Sequence, residues 1–230
     1  AIALLRALPL DADPRFPRRL AIAYQHRGLA LLAQDSSHPA PAIAACTSAI
    51  AVLDSDPGAP VADRRYLQAA VYLDLANVRA GEQTFDSDLM ARDAADQARS
   101  LVSALEASDP DAADAGLKAR HILCRTAARH LTRTAVRARV TAEDVHLATD
   151  LVDEGLALVH RWERQGVDRF RDLGLDFFQF GTLLYGRYQP HFLAELVLEN
   201  LDPSRTSEGY AAIVATTPVA RHLQSQAGFS

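Results

Sequence analysis

Arg125, Arg129 and Arg133 recur at four-residue spacing, with Arg137 one step further. On a helix that spacing sets guanidiniums one turn above another, on a row that drifts slowly because four residues overshoot a 3.6-residue turn. A guanidinium is a planar fork of donors that stays charged, so the chemistry of such a row is recognition of a carboxylate or phosphate rather than proton transfer. The row lies in segment 115–142, which holds Lys118, Arg120, Arg125, Arg129, Arg133, Arg137 and Arg139 and no Asp or Glu, +7 within a chain whose formal total is −5. Like charges at this spacing repel modestly, so something anionic must compensate them or they must stay solvated. The acid run Asp86, Asp88, Asp93 and Asp96 is one internal candidate; an external carboxylate, acidic peptide or phosphate is the other.

Titratable residues give weaker signals. Glu143-x-x-His146, followed by Asp150 and Glu154, is the nearest approach to a metal motif. Di-iron helical bundles need a second Glu-x-x-His and two further Glu residues, and the chain has no second copy. Glu143 is better explained as a favourable charge near the positive end of a helix that starts at Thr141. His26, His121, His130, His160, His191 and His222 are scattered singly. A Gly-rich phosphate loop, a G-x-S-x-G elbow and an H-E-x-x-H pair are all missing from the sequence. The expectation is a chain without catalytic residues, metal or cofactor.

Seven of the fifteen aromatics fall in 170–192: Phe170, Phe177, Phe178, Phe180, Tyr185, Tyr188 and Phe192. Phe177, Phe180, Leu184 and Tyr188 share one helical face, Phe178 and Tyr185 another. A helix apolar nearly all round is buried on most sides. The same pattern allows Phe178 and Tyr185 to wall a binding groove beside the arginines.

These residues must be positioned by helices, because alternating strand patterns are nearly absent and long stretches follow the 3.6-residue period. The pattern predicts helices over 16–34, 40–54, 61–81, 87–107, 111–136, 141–165, 168–187 and 190–200, with one or two short ones in 206–226. Asp-Pro breaks stand at 13–14, 56–57, 109–110 and 202–203, and Gly166 supplies a further one. Pro suits the first turn of a helix but not its interior, and an Asp before it can cap that helix. The first helix of each pair carries a small residue (Gly28, Ala76, Ala128 or Gly181) that lets its partner approach closely. On the arginine-bearing helix, Leu123, Ala127, Ala128 and Leu131 form the expected packing side, which leaves Arg125, Arg129 and Arg133 toward a groove.

Tyr24-x-x-x-Gly28…Ala45…Pro57 and Tyr72-x-x-Leu75-Ala76…Ala98…Pro110 make the chain resemble the tetratricopeptide-repeat (TPR-like) superfamily. There, a large and a small residue mark the first helix, an Ala the second, and a Pro closes the unit. The resemblance covers roughly residues 16–110, more loosely 111–203. Units near 50 residues, Arg27 at an aliphatic position and Leu31 and Arg79 at aromatic ones depart from the family pattern. The resemblance implies an all-α superhelix of about four antiparallel helix pairs in one domain over 1–230. Its units run 14–56, 57–109, 110–165 and 166–203, with a cap at 204–230. It further implies a concave groove for a peptide or protein, which here would involve Asn77, Arg125, Arg129, Arg133, Phe178 and Tyr185.

Composition bounds the partner. At 49% apolar and 23% charged residues the chain reads as folded. A net charge of −5 argues against a general nucleic-acid or membrane-surface binder. The sequence has no apolar run long enough for a membrane span. Ala1-Ile2-Ala3-Leu4-Leu5 lacks a basic leader, so it does not read as a signal peptide. The cytoplasm is the expected compartment; a start at Ala1 leaves the periplasm or secretion open. Cys46 and Cys124 are expected as buried thiols, with a disulfide as the alternative. Arg outnumbers Lys 23 to 1, with Lys118 the only lysine, which suggests a GC-rich bacterial genome. The functional expectation is a non-enzymatic scaffold for a partner with acidic and hydrophobic side chains, with homo-oligomers possible. The alternatives are a sensor of a small anionic ligand or signalling peptide, and an enzyme with a dispersed site.

Overall fold

The computed structural model describes residues 2–7, 13, 15–55, 61–137, 140–189 and 196. Among these the chain is all-α, as its periodicity requires. The helices are α1 Ile2–Arg6, α2 Arg15–Gln34, α3 Ala40–Asp54, α4 Val61–Glu82, α5 Phe85–Val102, α6 Pro110–Arg137, α7 Ala142–Glu163 and α8 Arg171–Tyr188, with a 3₁₀ turn at Asp168–Phe170 before α8. The chain divides into two compact units, Ala1–Ile122 and Leu123–Ser230, with the boundary inside α6. The expected segments 204–230, 206–226 and most of 190–200 lie outside the described residues, as do Pro14, Pro57, Arg139 and Phe192.

In the first unit, α2 packs on α3, α3 on α4, and α4 on α5, and α2 also touches α4. Gly28 makes the first crossing possible. A methyl there would stand 3.2 Å from the Ala42 carbonyl oxygen and the Cys46 sulfur, and 3.5 Å from the Ala45 methyl. Small residue thus meets small residue where two helices come closest. Ala76 and Ala98 are likewise fully buried. The core shared by α2, α3 and α4 is Leu20, Ala21, Tyr24, Cys46, Ala49, Ile50, Leu53 and Val71, each large member contributing about 1.5–3 kcal/mol by leaving water. Cys46 and Cys124 are buried thiols that form no disulfide.

The breaks between helices have identifiable chemistry. Asp109 Oδ1 accepts from the Asp111 amide at 2.8 Å and from the Ala112 amide at 3.4 Å, while Pro110 takes the first helical position of α6. The Asp-Pro pair therefore starts a helix as its residues dictate. The other carboxylate oxygen of Asp109 accepts from the Tyr66 hydroxyl, which ties α4 to the start of α6. Between α4 and α5, Gln83 adopts a positive φ of 55°. Thr84 and Ser87 then exchange side chain and backbone hydrogen bonds in a capping box that starts α5 at Phe85, two residues before the sequence pattern placed it.

In the second unit α7 packs on α8. Thr141 and Asp144 form the capping box of α7, so the acid that meets the cap is Asp144, one residue beyond Glu143. Gly166 ends the α7 segment with φ 80°. Its amide donates to the Glu163 carbonyl at 2.9 Å, and the Val167 amide to the Trp162 carbonyl at 3.0 Å. This is the six-to-one and five-to-two closure that favours glycine, and it is the break expected there. The Trp162 and Phe170 rings then meet edge to face at 6.3 Å. Gly155 on α7 gives way to the fully buried Phe177 ring, and Gly181 on α8 to Val152 and Leu196.

Ala128 departs from its expected place: it is only half-buried. The packing side of α6 in this stretch is Leu123, Thr126, Ala127 and Leu131, all buried. Their mean direction lies closer to Ala127, and Ala128 sits at the margin of the stripe one helical step away.

Candidate functional site

Arg125, Arg129 and Arg133 stand on one side of α6 and are half-buried. The Nε atoms of Arg125 and Arg129 are shielded from solvent, and all three residues have interactions within the chain. Lys118, on the same helical face, pairs with Asp114 at 2.6 Å. Arg120 lies off this row. It enters the protein and pairs with Glu106 through two hydrogen bonds, Nη1 to Oε1 at 2.7 Å and Nη2 to Oε2 at 3.1 Å, with both residues buried. Nη1 also donates to the Gly116 carbonyl at 3.2 Å. A methyl at Gly116 would fall 1.8 Å from Oε1, so glycine provides the room the carboxylate occupies. The acid-free appearance of segment 115–142 thus conceals an acid from the turn after α5.

The aromatic side chains are placed in packing positions. Phe178 has no accessible surface, and Tyr185 retains 6%. The Tyr185 hydroxyl donates to Asp153 Oδ2 at 2.7 Å, and burial together with that carboxylate pushes its pKa up. Neither ring, as placed, offers a face to a ligand. Asn77 is exposed on α4 in the first unit and engages in a contact of its own.

Two features of the first unit were not singled out from the sequence. The first joins alternate helices. Asp74 of α4 accepts from the Gln25 amide of α2 at 2.6 Å. Burial holds its carboxyl above the usual range, opposed by that hydrogen bond and by the charges of His26 on α2 and Lys118 on α6. The first helices of successive pairs therefore share one polar seam.

The second is an open cleft of about 270 Å³ between α4 and α5, with α3 at its edge. Its apolar lining is Leu75, Met90, Ala94 and the Tyr72 ring; its polar lining is Thr47, Arg79, Asp93 and Gln97. Arg79 makes a long 3.4 Å pair with Glu82. A second amphipathic period on α5, offset from the buried Ala91, Ala94, Ala95 and Ala98, would have signalled this surface.

Asp35, Ser37 and His38 touch one another in the α2–α3 loop, with Ser37 Oγ 2.9 Å and Asp35 Oδ2 2.8 Å from His38 Nδ1. Both contacts fall on the same ring nitrogen, whereas activation of a serine needs one nitrogen for the hydroxyl and the other for the acid. The trio is a loop tie. Glu143, His146, Asp150 and Glu154 are all exposed along α7. Among the described residues no three His, Cys, Asp or Glu side chains are grouped to hold a metal. No described helix is long and apolar enough to cross a membrane.

No family model matches the chain, and no curated protein matches it. Among solved structures, the crystal structure of a de novo designed helical repeat protein is similar, with a TM-score of 0.40 and 15% identity, over 93% of this chain and 97% of the designed one.

Proposed function

We propose that this protein is a helical-hairpin scaffold that holds a peptide or protein partner rather than transforming a substrate. The observation that carries this reading is the polar seam of the first unit. There α2 and α4, the first helices of consecutive pairs, meet through Gln25 and Asp74, and Lys118 of α6 adds its charge. A TPR-like arrangement builds its partner surface from just such adjacent first helices, and stacked hairpins supply that surface without needing an enclosed cavity.

On this reading the α6 face bearing Arg125, Arg129 and Arg133 meets carboxylates of an acidic and apolar partner, and Asn77 on α4 is a separate candidate contact of the first unit. Phe178 and Tyr185 support the helix that carries them. A guanidinium can exchange an internal contact for a bidentate one with a partner carboxylate. A sensor of a small anionic ligand is the second reading, favoured only by the same arginines.

The test is capture of a labelled peptide alternating Glu and Leu by the Arg125→Glu/Arg129→Glu/Arg133→Glu variant. Lost capture with an unchanged far-UV helical signal supports the arginine face. Unchanged capture removes it, and lost helicity assigns the arginines to internal pairing.

A further inference from the structure

Helix α5 presents a second surface, with the opposite charge preference. Asp86, Leu89, Met90, Asp93 and Gln97 fall at i, i+3, i+4, i+7 and i+11, the spacing of one helical stripe. All five are exposed. Leu89 and Met90 keep 42% and 49% of their surface in water, and neighbouring Phe85 keeps 51%. Beside the stripe lies the α4–α5 cleft, where Met90, Asp93 and Gln97 meet Leu75, the Tyr72 ring and Arg79.

The carboxylates on this stripe are uncommitted. Among the described residues, Asp86 and Asp93 enter no hydrogen bond or ion pair, and neither does the Gln97 amide, whereas Asp96, off the stripe, pairs with Arg99 at 3.2 Å. Arg79, the one cation among the described residues that line the cleft, faces Glu82 at 3.4 Å. The surface thus offers an apolar centre of Leu89, Met90 and Leu75, flanked at both ends by negative charge that is unpaired among the described residues. A flexible methionine suits an adaptable contact surface, and the Tyr72 ring can receive a cation on its face.

We infer that the α5 stripe and the adjoining cleft dock a basic amphipathic segment of a partner protein, which sets an apolar side chain on Leu89, Met90 and Leu75 and places Arg or Lys against Asp86 and Asp93. The inference deepens the scaffold reading by naming a second docking face and its partner chemistry, and it uses none of the α6 arginines.

The experiment is fluorescence anisotropy of the full chain with two designed helical peptides. Both carry Leu at i and i+4. One has Arg flanking these positions, and the other has Glu in the same places. The wild type binds the Arg peptide, with affinity that falls as salt is raised, and binds the Glu peptide at this face at least about tenfold more weakly. Asp86→Lys/Asp93→Lys and Met90→Asp each weaken the Arg peptide about tenfold or more. Because these residues are exposed, the far-UV signal stays unchanged. Arg125→Glu/Arg129→Glu/Arg133→Glu leaves Arg-peptide binding at the wild-type level, so loss of the arginine face and loss of this face are told apart. No binding of the Arg peptide by wild type, equal binding by Asp86→Lys/Asp93→Lys, or strong binding of the Glu peptide that Met90→Asp abolishes would each overturn the proposal. So would a concentration-dependent dimer in sedimentation that Asp86→Lys/Asp93→Lys dissolves, because the occupant would then be a second copy.

Discussion

Glu106 and Arg120 clasp each other inside the first unit through two hydrogen bonds of 2.7 and 3.1 Å, although 14 residues separate them in the chain. Removing one member of a buried ion pair leaves the other desolvated and unsatisfied, a cost of about 3–5 kcal/mol. Urea unfolding of Arg120→Met or Glu106→Leu alone should show a loss of that order. The double variant should recover much of it, since two apolar side chains leave no orphaned charge. A double variant no better than the worse single one would show that the pair is not the coupled unit described.

Two glycines separate packing from propensity. At Gly155 a methyl would stand 2.7 Å from the Phe177 ring, which is itself fully buried and cannot swing aside. Gly155→Ala should therefore destabilise by about 1–3 kcal/mol through overpacking. Among the described residues nothing lies within 4 Å of a methyl at Gly81. Gly81→Ala should stabilise α4 by about 0.5–1 kcal/mol, because only the helix preference changes. Thermal unfolding of both variants checks the opposite signs.

Asp74 gives a pH signature. Its folded carboxyl titrates above the ordinary value of 3.8, chiefly through burial. The folded state therefore binds its proton more tightly than the unfolded state, and this group's contribution to stability falls as pH rises from 3.8 through the folded pKa. Asp74→Asn keeps an acceptor for Gln25 and removes the titration. The stability difference between variant and wild type should grow in the variant's favour as pH rises across that window, measured by urea midpoints at each pH. A difference independent of pH would contradict the burial of this carboxylate.

Cys46 should be inert until the chain opens. Burial, with a further push from the Asp74 charge, raises its thiol to about 11, and only the thiolate is the nucleophile. At pH 8 a chromogenic disulfide should modify Cys46 at the rate of unfolding rather than at the rate of a free thiol, read by mass spectrometry of the labelled peptide.

Periodicity and punctuation placed α2 to α8 to within about five residues, because they report local forces, but they did not signal the short α1. Asp109-Pro110 and Gly166 do in space what their covalent structure dictates, and the Gly28–Ala45 contact was legible as a small residue meeting another. What failed was non-local or lay just off a boundary. The α5 helix stops at Val102, and the following turn returns Glu106 to Arg120. A charge count along segment 115–142 cannot register that pairing. Ala128 missed the buried stripe by one helical step. Of the candidate site, the arginine row was visible as spacing, but its half-burial was not. The exposed stripe of α5 was hidden behind its alanines, which dominate the pattern because they are the side that packs.

The vacancy at Gly116 also has a meaning for how this chain can change over time. A side chain at 116 would occupy the space that the Glu106 carboxylate fills, and a shorter acid at 106 would leave Arg120 reaching into apolar surroundings. The three positions form a single heritable unit: drift at one is tolerated only when the other two move with it. Descendants of this sequence should therefore keep all three residues or exchange the trio together.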